Sequence, residues 1–171
     1  MRLGFYRMDV NKDGYVDAED MQFFGEKIAK LHGVEAGSEA YQKIVMTYNM
    51  SWQMYFLPAD QDGDGKISSE EYIQAGFHYS QMDGFRENSL EQNKHMFATL
   101  DLDGDGKIQE NEFSVFLRAS GVHPNDAQVA FEKLDQDGDG IISDQEFAEA
   151  MFDFFGSEDP NAPGNWFFGP F

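Results

Sequence analysis

The chain contains no cysteine, which excludes disulfides, thiolate metal sites, iron–sulfur clusters and cysteine catalysis, and which suits a reducing compartment. Bases are scarce too: 12 lysines and arginines stand against 32 acids, for a formal net charge of −20. No tract of basic residues occurs, and a chain this anionic repels phosphate backbones and anionic bilayers. Binding to nucleic acid or to a membrane is therefore not expected. No apolar run approaches the ~20 residues that span a bilayer, and Met1 to Arg7 hold no run of signal-peptide length. A cytoplasmic protein is expected. What the chain does have is 41% hydrophobic and 15% aromatic residues in a length of 171, enough for one domain or two fused halves with a real core.

Four segments of 12 residues align without gaps: Asp9 to Asp20, Asp60 to Glu71, Asp101 to Glu112 and Asp135 to Glu146. Oxygen-bearing side chains recur at position 1 (Asp9, Asp60, Asp101, Asp135), position 3 (Asn11, Asp62, Asp103, Asp137) and position 5 (Asp13, Asp64, Asp105, Asp139). Glycine holds position 6, as Gly14, Gly65, Gly106 and Gly140, and an acid holds position 12, as Asp20, Glu71, Glu112 and Glu146. The last three segments match D-x-[DN]-x-[DN]-G-x₅-E in full; the first departs only at Asp20. Calcium is a hard cation that takes six to eight oxygens at about 2.3–2.6 Å, and such a loop can supply them. Alternate residues of a tight turn give carboxylates at 1, 3 and 5. The backbone carbonyl of position 7 (Tyr15, Lys66, Lys107, Ile141) adds an oxygen, and position 9 (Asp17, Ser68, Gln109, Ser143) commonly acts through water. Position 12 closes the site with both carboxylate oxygens. Ser68-x-x-Glu71 and Ser143-x-x-Glu146 also read as capping boxes, with the glutamate turned to the metal instead.

The flanks fit helices on either side of each loop. Phe5, Phe56, Phe97 and Phe131 lie four residues before, and Met21, Tyr72, Phe113 and Phe147 follow at position 13. Position 8 is Val16, Ile67, Ile108 and Ile142, β-prone residues suited to pairing two loops by a short strand. Loop starts lie 51, 41 and 34 residues apart. The first gap is expected to hold two helices, one from Ala18 to about Leu31 and a longer one from near Ser38 with Tyr41, Ile44, Val45, Tyr48, Trp52, Tyr55 and Phe56 at helical spacing. Asp83-Gly84 and Asn88-Ser89 are read as breaks between the halves. Met46, Met50 and Met54 form a row read as core packing. The tail ends in Trp166, Phe167, Phe168 and Phe171, an aggregation hazard if free, so it is expected to fold back into the core.

These loops resemble those of the EF-hand superfamily over nearly the whole chain. The unequal spacing, the long second helix and the tail Asn165-Trp166-Phe167-Phe168-Gly169-Pro170 look like the invertebrate sarcoplasmic calcium-binding proteins. That resemblance implies an all-α fold: four EF-hand units in two packed pairs forming one compact globule, with the C-terminal segment in its interior. The breaks between loops 2 and 3 put the expected domains at 1–82 and 83–155, one loop pair each, with the tail 156–171 expected to pack on the core. The resemblance also implies a cytosolic calcium and magnesium buffer of muscle, in a family that includes allergens. Four calcium ions are expected at most, with magnesium competing chiefly at loop 1. A monomer is expected, a homodimer left open, with no protein partner implied.

Two other readings stand beside the buffer. A calcium sensor opens a Met-rich groove to a target. Coelenterazine photoproteins and luciferin-binding proteins share the four-hand globule, but photoproteins line its cavity with His, Trp and Tyr and typically end in proline. This chain has Trp52, Trp166, His32, His78, His95, His123 and a final Phe171. No enzyme is expected. H-E-x-x-H and G-x-S-x-G are missing, and Gly65-Lys66-Ile67-Ser68, which looks like the end of a phosphate-binding loop, has Asp60 where that loop needs glycine.

Overall fold

In the computed structural model the described residues are 2–82 and 85–170, with the side chains of 85–92 not described. They form eight α-helices and two two-residue strands, which fall into two units, Met1–Ala75 and Gly76–Phe171. None of these helices is long and apolar enough to cross a membrane.

The first unit opens with α1 (Arg2–Met8) and α2 (Ala18–Leu31). Asp17 caps α2, its carboxylate accepting the Glu19 and Asp20 amides. Met21, Phe24, Gly25, Ile28 and Ala29 form the buried stripe of α2, at helical spacing. That stripe packs on α3 (Glu39–Ser51), which starts at the Ser38 cap and buries Ile44 and Tyr48. Gly25 makes the crossing close: a Cβ there would lie 3.0 Å from the Val45 Cα. The Phe24 and Tyr48 rings meet at 5.3 Å, and burying a ring of this size contributes about 1.5–3 kcal/mol.

The second helix of the gap is shorter as an α-helix than its pattern suggests. It gives way at Trp52–Phe56 to a π-helical turn and at Leu57–Ala59 to a 3-10 turn. Pro58 is the cause, since proline has no amide to donate and its ring crowds the carbonyl four residues back. The methionine row is a second departure. Ile44, Tyr48 and Trp52 are the buried face of this stretch; residues two positions away lie about 200° round the helix. Met46, Met50 and Met54 are accordingly exposed, at 63%, 44% and 51%, and are not core. α4 (Ser69–Ser80) follows loop 2 and runs past the end of the first unit at Ala75; within that unit its Tyr72 ring meets Phe5 of α1 edge-on at 5.9 Å.

The second unit runs α5 (Phe85–Leu100), β1 (Ile108–Gln109), α6 (Glu110–Ala119), α7 (Pro124–Leu134), β2 (Ile141–Ile142) and α8 (Asp144–Gly156). The α5 backbone passes straight through Asn88-Ser89, which therefore do not break the chain; Asn and Ser cost a helix interior only a few tenths of a kcal/mol each among good helix formers. The other expected break, Asp83-Gly84, lies outside the described residues. The tail forms a 3-10 turn at Pro163–Trp166 against α7 and α8. Gly164 lets it seat, because any Cβ there would collide with the Ala150 carbonyl of α8. Phe167 is fully buried, its ring 5.4 Å from Phe147, 6.0 Å from Phe116 and 6.2 Å from Phe113 and Phe154. Phe168 is buried against Phe154 and Phe116, while Trp166 is half-buried. The described tail does fold into its own unit's core.

Candidate metal centres

The four loops pair as position 8 requires. Val16 and Ile67 exchange backbone hydrogen bonds of 2.9 and 2.8 Å, joining loops 1 and 2. β1 and β2 join loops 3 and 4 antiparallel, with Ile108 opposite Ile142 and Gln109 opposite Ile141. All four position-8 side chains are fully buried, so each pair of loops is pinned from beneath by apolar burial.

Within each loop the ligand-type side chains are ordered by the backbone itself. The position-1 carboxylate accepts the position-6 amide at 2.9–3.1 Å: Gly14 to Asp9, Gly65 to Asp60, Gly106 to Asp101 and Gly140 to Asp135. The position-5 carboxylate accepts the amide two residues on, from Tyr15, Lys66, Lys107 or Ile141. Position 12 ties the two ends together. Glu112 accepts the Leu102 amide at 2.8 Å on one oxygen and the Gln109 amide at 3.0 Å on the other. Glu71 and Glu146 do the same with Gln61 and Ser68, and with Gln136 and Ser143. Both glutamates also take the serine hydroxyl at 2.8 Å, so they complete their capping boxes rather than forgoing them. A carboxylate offers about four lone-pair sites; the loop's own donors take three at Glu112 and all four at Glu146, so a bound ion there would have to compete with them.

Loops 2, 3 and 4 bring three carboxylates into one cluster each: Asp60, Asp62 and Glu71; Asp101, Asp103 and Glu112; Asp135, Asp137 and Glu146. In every cluster one oxygen per residue lies within 4.8 Å of the others. Two ligands on opposite sides of a calcium ion are about 5 Å apart, so the donor set fits a hard cation of that size. The expected position-5 ligands Asp64, Asp105 and Asp139 are not part of these clusters; their carboxylates accept the amides of Lys66, Lys107 and Ile141.

Loop 1 is built differently. Position 3 is Asn11, and among the described residues loop 1 forms no such three-carboxylate cluster. Position 4 is Lys12 at φ 62, where the other loops have Gly63, Gly104 and Gly138 in the same left-handed region. In those loops the position-4 amide donates to the position-1 carboxylate at 2.7–2.8 Å. Asp20, a methylene shorter than glutamate, still spans its loop: one oxygen accepts Val10 and Asn11, the other Asp17. It does so fully buried. A cationic group enters from outside, for Lys66 of loop 2 places Nζ 3.3 Å from Asp13 Oδ2 and 3.5 Å from Asp17 Oδ2. Sequence spacing gave no sign of this contact; only the pairing of loops 1 and 2 brings it about.

The position-12 acids split by environment. Burial pushes the Asp20 and Glu112 carboxyls up, against the opposing pull of their loop amides. The Ser68 amide and hydroxyl hold Glu71 below the usual carboxylate range. At Glu146 burial acts upward, but the Ser143 amide and hydroxyl with the Gln136 and Asp137 amides outweigh it, and the carboxyl falls. Serine at position 9 distinguishes the second pair from the first. Asp13 is also held low, first by the Tyr15 amide and then by Lys66.

Comparison with known proteins gives the same answer as the geometry. A family description of an EF-hand domain pair matches residues 90–152, and one of an EF hand matches 1–24 and 55–77. Among curated proteins none matches. Among solved structures, the coelenterazine-binding protein of Renilla muelleri in its calcium-loaded apo form is 28% identical, with a TM-score of 0.83, over 99% of this chain and 93% of that one. A calcium-binding protein of Streptomyces coelicolor, described with prokaryotic calcium-mediated regulation, is also 28% identical, with a TM-score of 0.69, over 90% and 95%. The sarcoplasmic calcium-binding protein of amphioxus, at 19% identity and a TM-score of 0.62 over 99% and 95%, shares the fold. With paired loops, clustered oxygens and these likenesses together, the chain belongs to the EF-hand superfamily as a calcium-binding protein.

Proposed function

We propose that the protein is a calcium buffer, holding up to four divalent ions in the cytoplasm through the loops at Asp9–Asp20, Asp60–Glu71, Asp101–Glu112 and Asp135–Glu146. The observation that carries this reading is the burial of Phe167 and Phe168 among Phe113, Phe116, Phe147 and Phe154. A sensor must open such an aromatic face to a target helix. Here the chain's own tail already covers it. The exposed methionine row does not alter the reading, because it runs along one face of α3 and its π-helical extension rather than inside a helix-lined groove. The test is a hydrophobic dye titrated with calcium. A buffer gives little change in dye fluorescence as the ions bind; a large calcium-induced rise supports a sensor instead.

Loop 1 is proposed as a mixed calcium and magnesium site. Asp20 is shorter than the closing glutamates, and magnesium prefers six oxygens at about 2.0–2.1 Å, where calcium prefers a larger shell. In this reading magnesium at millimolar concentration displaces calcium from loop 1 first, and Asp20→Glu removes that preference. If magnesium competes equally at all loops, size selection at loop 1 is wrong.

A second reading rests on one specific observation, the likeness to the coelenterazine-binding protein along 99% of this chain. In that reading the calcium loops govern the holding of an apolar heteroaromatic ligand. Titration with coelenterazine separates the two: quenching of Trp52 or Trp166 emission with a saturable, calcium-dependent midpoint supports ligand carriage, and unchanged emission supports the buffer.

A further inference from the structure

We infer that Lys66 of loop 2 sets the cation affinity of loop 1, acting as an internal counter-cation against which any divalent ion there must bind. The inference rests on the reading of the loops as calcium sites and assigns one residue a tuning role within it. Lys66 occupies position 7, where the loop offers its backbone carbonyl to a metal, so the side chain is free to leave its own loop. The Val16–Ile67 bridge then aims it across the pair. Its Nζ meets Asp13 Oδ2 at 3.3 Å and Asp17 Oδ2 at 3.5 Å, the carboxylates at positions 5 and 9 of loop 1. It also lies 5.0 Å over the Tyr15 ring, whose face attracts a cation. All three contacts are with the partner loop.

Loop 1 brings four carboxylates at ligand positions, Asp9, Asp13, Asp17 and Asp20, so one ammonium offsets a quarter of the formal charge they carry. A divalent ion held through Asp13 comes within a carboxylate's width of that ammonium, and the repulsion acts on both of its charges. The other pair lacks this arrangement. Lys107 is the position-7 residue of loop 3, but it faces a loop whose position 9 is Ser143 and whose position 7 is Ile141. Among the described residues Lys107 makes no ion pair. Only Asp13 and Asp17 together, with the Tyr15 ring beside them, give a lysine three reasons to cross.

The position-6 glycine of each loop donates its amide to the position-1 carboxylate, so Gly14, Gly65, Gly106 and Gly140 report their own loops in an amide NMR titration. The full-length chain is titrated with buffered free calcium as the native protein, as Lys66→Gln, as Lys66→Met, which keeps an apolar stem over Tyr15, and as Lys107→Gln, which changes net charge equally. In both Lys66 variants the Gly14 midpoint falls about three- to ten-fold, while the other three glycines hold theirs; Lys107→Gln leaves Gly14 unmoved. An unchanged Gly14 midpoint overturns the inference, as does a Gly14 that responds in no variant while the other loops respond. A rise overturns it too, since it makes Lys66 a brace for Asp13 and Asp17. If no glycine responds in any variant, the calcium reading itself fails, and the inference falls with it.

Discussion

At the scale of single residues, Lys12 and the position-12 acids show how one repeat yields unequal sites. Lys12 holds φ 62 where its three counterparts are glycine, and a left-handed conformation costs an L-residue about 1–2 kcal/mol. Lys12→Gly relieves that cost at the expense of a more flexible unfolded chain, and urea denaturation of the metal-free protein should show a net gain of up to about 1 kcal/mol. A loss would mean that the Lys12 side chain contributes more than its backbone costs. The closing acids predict an order of release on acidification. Asp20 and Glu112 take up protons at higher pH than usual, Glu71 and Glu146 at lower. In the metal-free fold the charged forms of Asp20 and Glu112 oppose folding, and that opposition disappears as pH falls through their raised values. Glu71 and Glu146 contribute stability above their unfolded values and lose it only as pH falls through their depressed ones. With calcium bound, a proton competes for each closing carboxylate, so the Gly14 and Gly106 amides should revert to metal-free positions at higher pH than Gly65 and Gly140. Simultaneous reversion of all four would contradict the split.

At the scale of elements, the loops were legible because ligand chemistry fixes residue type at fixed offsets, and a 12-residue pattern repeated four times leaves little else to read. The pairing of loops followed from position 8 for the same reason: four β-prone residues at one offset find each other. The helices were less legible. Helical spacing continues through Trp52 and Phe56, yet Pro58 ends the regular helix, an effect carried by one residue's missing amide. The methionine row shares its i, i+4, i+8 spacing with Ile44, Tyr48 and Trp52, and spacing alone does not tell which stripe faces inward. Asn88-Ser89 illustrates the converse, a weak local preference overridden within a 16-residue helix. The Lys66 contact was illegible because it joins residues 53 apart through a pairing that sequence indicates but does not aim. The tail yields a prediction at this scale. Gly164→Ala forces a methyl against the Ala150 carbonyl, so the 3-10 turn must lift off α8 and carry Phe167 with it. The melting temperature should fall and dye binding rise; an unchanged melt would mean that the tail does not hold the second core.

At the scale of the whole molecule, charge is the organising quantity. Sixteen of the 32 acids stand at ligand positions, and four divalent ions would bring the formal charge from −20 to −12 (8 charges gained). The metal-free chain therefore carries strong repulsion inside each loop, held in check by backbone amides and by Lys66, and ion binding should stabilise the fold through mass action. The most direct measurement is a count of bound calcium by equilibrium dialysis of the full-length chain, native and with Glu112→Gln. An amide gives one neutral oxygen where a bidentate anion stood, so loop 3 should lose its ion. The account predicts four calcium ions at saturation for the native chain and three for the variant. A native count below four, or a variant count equal to the native one, would contradict it.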